Sequence, residues 1–211
     1  MPRLNGTLKK VFKGTVRKTR QYIRSLEDDG AVERDFSQDD FAYPWLNSIA
    51  TSMLKEGRGA GKPGYVWGVV HGAHLAQTLG IQAISAIEFG VAGGNGLVAL
   101  ENIAEKAEQI FGLRIDVHGF DTGEGLPPPL DYRDMPNLYV ESAFPMDVER
   151  LKARLRRAQL HLGLVRETVD RFIGSAPAPA AFVSFDLDYY SSTVDAFKLL
   201  SAESALLLPR V

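Results

Sequence analysis

Four glycines within seven positions, Gly90, Gly93, Gly94 and Gly96, directly follow the short apolar run Ala83–Phe89, and this junction limits what the chain can fold into more than any other. Glycine lets the backbone turn tightly and come within contact distance of a ligand, because no Cβ intervenes. The first turn of a helix that follows offers unpaired N–H donors. Residues 96–111 then carry helical spacing, and residues 113–120 are apolar again and end at Asp121. The spacing predicts a β-α-β unit with its glycine turn at the carboxyl end of the first strand.

The remainder of the chain extends the same alternation. Helices are predicted over residues 45–55 and 65–79, separated by the loop sequence EGRGAGKPG. After Asp121 comes a long proline-bearing loop, then a charged helix over residues 147–157 and a strand over 159–165. A helix over 167–173, a strand over 181–187 and a helix from Ser192 complete the pattern. Alternating strands and helices with short links imply an α/β fold, a Rossmann-like doubly wound parallel sheet with N-terminal helices. No internal repeat is present. At 211 residues and 45% hydrophobic, the chain suits one main domain over residues 44–211, preceded by a basic arm and acidic linker over residues 1–43. The arm holds eight Lys and Arg residues from Arg3 to Arg24 with no acid before Glu27, and reads as a solvated helix or tail.

Composition removes several functions. The chain has no cysteine, so disulfides, thiolate metal sites and a cysteine nucleophile are excluded. A formal charge of -2 gives no basic field for nucleic acid, and no apolar run approaches the length of a membrane span. A cytoplasmic protein is expected, and a homo-oligomer is admitted.

Two ligand templates fit the loop EFGVAGGNG. One is acidic-x-G-x-G/A-x-G, with Glu88, Gly90, Ala92 and Gly94, which serves S-adenosylmethionine (SAM). The other is G-x-G-x-x-G/A, with Gly94, Gly96 and Ala99, which serves a dinucleotide. Glu88 favours the first, because a carboxylate there suits a cofactor with a cationic amino group and has no task beside a pyrophosphate. Asp121 stands where a carboxylate can accept both ribose hydroxyls. His118 is expected to be a packed core histidine. In FVSFDLDYYSST, Asp186 and Asp188 lie two residues apart at a strand end and could share a hard cation such as Mg²⁺, and Ser191, Ser192 or Thr193 can cap the next helix.

Taken in order, EFGVAGGNG, GFDTGEGLP and FDLDYYSSTVDA resemble the class I SAM-dependent methyltransferases, and within them the macrocin O-methyltransferase type, over about residues 65–211. The resemblance implies SAM held by Glu88, Gly90, Ala92, Gly94 and Asn95, with Asp121 on the ribose. It implies Asp186 as a Mg²⁺ ligand, also the candidate for a catalytic role, with Asp188 beside it. The cation would bind a hydroxylated small-molecule acceptor and lower the pKa of the hydroxyl to be methylated. It also implies further strands and metal ligands beyond Val211. Tyr132, Asp134 and Tyr139 are positional candidates for a general base. The competing expectations are a nicotinamide-dependent oxidoreductase using Gly94, Gly96 and Asp121, and a non-catalytic SAM-binding module.

Overall fold

Two prolines open the first two helices, where a missing N–H costs nothing. In the computed structural model, which describes residues 44–59 and 61–211, α1 runs Pro44–Lys55 and α2 runs Pro63–Leu79. The basic arm and acidic linker expected over residues 1–43 lie outside the described residues. The alternation that follows is β1 (Ala83–Phe89), α3 (Asn95–Phe111), β2 (Arg114–Asp121), α4 (Val148–Arg154), β3 (Gln159–Leu162), α5 (Val165–Gly174), β4 (Ala180–Phe185) and α6 (Tyr190–Ala196). The four strands form one parallel sheet in the order β3-β2-β1-β4. The chain is therefore α/β with a four-stranded all-parallel sheet flanked by helices, an arrangement compatible with a Rossmann-like fold.

Strand alternation sorts the core into two layers. Ile84 and Ala86 of β1, with Ile115 and Val117 of β2, pack under α1, α2 and α3. Ile87, Phe89 and Phe120 face the other side and pack with Val169 and Phe172 of α5 and Ala196 of α6. Glu88 shares the parity of Ala86, so its side chain turns toward α2 and α3. His118 is buried on the opposite face, with its ring edge-on to Phe172 at 4.8 Å and its Nδ1 3.2 Å from His161 Nε2. It is the core histidine that its strand position implied.

The strand order places the site. β2 and β3 continue the sheet on one side of β1 while β4 lies on the other, so the winding reverses between β1 and β4, and a crevice opens beyond their carboxyl ends. After β4 the chain returns so that Leu207 forms a parallel bridge with Ala180 and Leu208 N–H donates to Ala180 O at 2.9 Å. Among the described residues no helix is long and apolar enough to cross a membrane.

Several expected boundaries move. The charged helix is shorter, because Asp147 caps it by accepting from Arg150 N–H at 3.0 Å and it ends at Arg154. β3 and β4 stop at Leu162 and Phe185, so Asp186 lies just past its strand. The expected hydroxyl cap on the last helix is absent. α6 begins at Tyr190, and the donor at its first turn, Ser191 N–H, is taken at 2.8 Å by the carboxylate of Asp134, 57 residues earlier.

Candidate functional site

The glycine loop is held by backbone packing and by side chains from other elements. Gly90 adopts φ 88°, its N–H donates to Phe120 O at 2.9 Å, and a Cβ there would collide with the carbonyl of Asp186. Gly94 adopts φ 79° as the cap of α3, and a Cβ there would run into the side chain of Leu151 on α4. Gly90 and Gly94 are thus required by protein packing. A Cβ on Gly93 would meet nothing within 4 Å. From the loop's outer side Arg154 donates to Gly93 O at 2.9 Å and to Asn95 Oδ1 at 2.6 Å, so the amide oxygen of Asn95 is engaged by protein.

Asp121, at the end of β2, holds the loop from below. Its Oδ2 accepts from the N–H groups of Val91 and Ala92 at 3.0 and 2.9 Å, and its Oδ1 accepts from Gly123 N–H at 2.8 Å. It also lines the cleft beside the loop.

Glu88, one residue before the end of the neighbouring strand β1, is 1% exposed. Its Oε1 accepts from the Tyr65 hydroxyl at 2.7 Å, and that hydroxyl lies 2.9 Å from Ser184 Oγ on β4. Its Oε2 is buried with no hydrogen-bond partner among the described residues. Glu88 also presses on Gly96 in the first turn of α3, where no Cβ could be fitted. Burial drives its pKa from the ordinary 4.5 up to about 7, against the opposing bond from Tyr65 and the charge of Lys62. Burial likewise pushes the Tyr65 hydroxyl up.

Two adjoining hollows sit at the crevice. One, of about 290 Å³, is lined by Lys62, Glu88 and the loop from Gly90 to Gly96. The second, a narrower cleft of about 80 Å³, lies against Asp121, the long loop and the β4–α6 turn. Gly90, Ala92, Phe144, Asp186 and Asp188 border both. At this shared border the Lys62 ammonium stands 3.0 Å from Asp186 Oδ2. The pKa of Asp188 is raised by burial and by the charge of Asp186, with the nearby Tyr139 hydroxyl acting in the opposite direction. Among the described residues no three His, Cys, Asp or Glu side chains gather as a metal centre.

The three positional candidates for a base separate. Asp134 is 1% exposed and accepts from Leu130 N–H, Ser191 N–H and Ser191 Oγ, all at 2.8 Å, so it is spent on tying the long loop to α6. Burial alone would raise its pKa, and those bonds outweigh it and lower it. Tyr132 is 83% exposed, and neither hollow counts it among its lining residues. Tyr139 approaches the cleft from behind its wall, its ring centroid 6.3 Å from that of Tyr189, which lines it.

Lys62, Tyr65, Ser184 and Arg154 escaped the sequence reading. Lys62 closes a segment whose glycines read as a plain connection, and Tyr65 sits in a helical apolar pattern with no sign that its hydroxyl would reach a strand end. No protein-family model and no curated protein matches the chain.

Proposed function

We propose that this chain is the cofactor-binding part of a SAM-dependent methyltransferase that passes the methyl group to an oxygen of a hydroxylated small molecule. The observation that carries this reading is Glu88, a buried carboxylate with one oxygen unpartnered among the described residues, beside the loop hollow at the reversal point of the sheet. A buried acidic oxygen without a donor is costly unless something supplies one. The ammonium of the SAM methionine is such a donor. Lys62 on the same wall suits the methionine carboxylate. Asp121, with two oxygens already holding the loop, keeps free lone pairs for the ribose. The acceptor belongs in the adjoining cleft, where catalysis rests on in-line positioning of its oxygen against the sulfonium carbon: the C–O bond forms as the C–S bond breaks, S-adenosylhomocysteine is the leaving group, and the hydroxyl proton is released to solvent.

The oxidoreductase reading has less support. Of its fingerprint glycines, Gly94 faces Leu151 and Gly96 faces the Glu88 carboxylate, which would repel a pyrophosphate. Among the described residues no third His, Asp or Glu joins Asp186 and Asp188, and Asp186 is paired with Lys62.

The reading is tested by calorimetric titration with S-adenosylhomocysteine and with NADH, each with and without Mg²⁺. Binding of the homocysteine compound, weakened by Glu88→Gln, is expected. Binding of NADH alone would select the oxidoreductase. Binding without turnover on any hydroxylated acceptor would select the non-catalytic module.

A further inference from the structure

We propose that the narrow cleft takes the acceptor as a flat hydroxylated ring that carries no negative charge, an inference that rests on the methyl-transfer reading for the word acceptor and on the cleft itself for its chemistry. Three segments supply apolar walls: Leu126, Pro127 and Phe144 from the long loop, Leu164 and Val165 from the β3–α5 junction, and Leu187 from the β4–α6 turn. Phe144 is 56% exposed although it borders both hollows, which leaves apolar surface for a ring to cover.

The polar lining decides the charge. Asp121, Asp186 and Asp188 line the cleft, and among the described residues no Lys or Arg does. Lys62, from the neighbouring hollow, offsets Asp186, and Asp121 is bound to loop N–H groups, which leaves Asp188 uncompensated by any cation among the described residues. An anionic ligand within a few ångströms of such a set is repelled, while a neutral or cationic one is not.

A separate observation points to a ligand hydroxyl. Tyr189 lines the same cleft and is 1% exposed, and its hydroxyl is buried without a hydrogen-bond partner among the described residues. A polar group of the ligand would satisfy it, and a wholly apolar ligand would leave it unpaired.

The test uses three catechols that share one ring and differ in charge: dopamine (cationic), 4-methylcatechol (neutral) and 3,4-dihydroxybenzoate (anionic). Each is titrated into the protein with and without S-adenosylhomocysteine. Dopamine and 4-methylcatechol are expected to bind, and the benzoate to bind at least about tenfold more weakly. Asp188→Asn should bring the benzoate within about threefold of 4-methylcatechol, a shift that merely structural damage would not produce because it would weaken all three. Equal or tighter binding of the benzoate to the native chain, or no binding by any of the three, overturns the proposal. Because the charge order is also read without S-adenosylhomocysteine, failure of that compound to bind counts against the methyl-donor reading alone. If Asp188→Asn does not fold, the order in the native chain still decides.

Discussion

The Asp121 carboxylate accepts the N–H of Ala92 at 2.9 Å while Ala92 is held at a φ of 45°, a left-handed conformation that a residue with a Cβ rarely adopts. A position that reads in the sequence as a ribose ligand therefore also maintains the strained turn on which a ligand would rest. Both tasks suit a carboxylate at a strand end, because its two oxygens offer about four acceptor positions.

Asp121→Ala should consequently destabilise the protein with no ligand present. Three charge-assisted bonds to Val91, Ala92 and Gly123 are lost, and a cost of about 2 to 4 kcal/mol is expected from urea unfolding. An unchanged midpoint would mean that the loop holds itself.

The glycines of the loop should divide in their responses. Gly94→Val forces a branched side chain into Leu151 at a positive φ and should cost about 3 kcal/mol or more, so any loss of binding there reports misfolding. Gly93→Leu enters open space at the hollow and should change stability by less than about 1 kcal/mol while reducing S-adenosylhomocysteine affinity at least about tenfold. Undiminished affinity in the Gly93→Leu protein would remove the loop from the binding site.

Glu88→Gln should exchange affinity for stability. The folded pKa of Glu88 is raised to about 7, so the native state is favoured below the unfolded value of 4.5 and loses that advantage as pH rises through 7. Removing the charge should therefore stabilise the chain by about 2 kcal/mol at pH 8, with little gain at pH 4.5, while S-adenosylhomocysteine binds more weakly. Chemical unfolding of both proteins at the two pH values checks the sign. A variant less stable than the native chain at pH 8 would mean that Tyr65 and Lys62 already compensate the charge.

His118 should act in the opposite sense. Burial, aided by its neighbour His161, lowers its pKa from 6.5 to about 4, so the stability it leaves intact above pH 6.5 is lost as pH falls toward 4. His118→Gln should reduce the difference in unfolding free energy between pH 7 and pH 4.5 by about 2 kcal/mol. An identical pH difference in the two proteins would place the acid sensitivity elsewhere.

Much of the frame was legible because it obeys short-range rules. The apolar run Ala83–Phe89 breaking into glycines, the helical spacing that follows, and a second run ending at Asp121 were sufficient for a β-α-β unit, since strand and helix periodicities are properties of neighbouring residues. Helix α6 was located to within two residues, yet its cap was not, because the capping carboxylate of Asp134 comes from a loop 57 residues away. Nothing local to Ser191 records that pairing.

The same division runs through the candidate site. By itself the sequence determined that a glycine turn follows a strand, that acids stand at or just past the ends of three strands, and that no thiol chemistry is available, because each is a matter of residue type and order. Only the tertiary structure decided which atoms those acids meet. Parallel pairing set β4 beside β1 and so put Asp186 against Gly90. The packing of α2 brought Tyr65 to Glu88, α4 filled the space behind Gly94, and Lys62 reached Asp186 across 124 residues of chain. Burial and charge pairing are sums over neighbours in space, and the neighbours that raise the pKa of Glu88, pair with Asp186 and bury the Tyr189 hydroxyl with no hydrogen-bond partner among the described residues exist only once the sheet has closed around them.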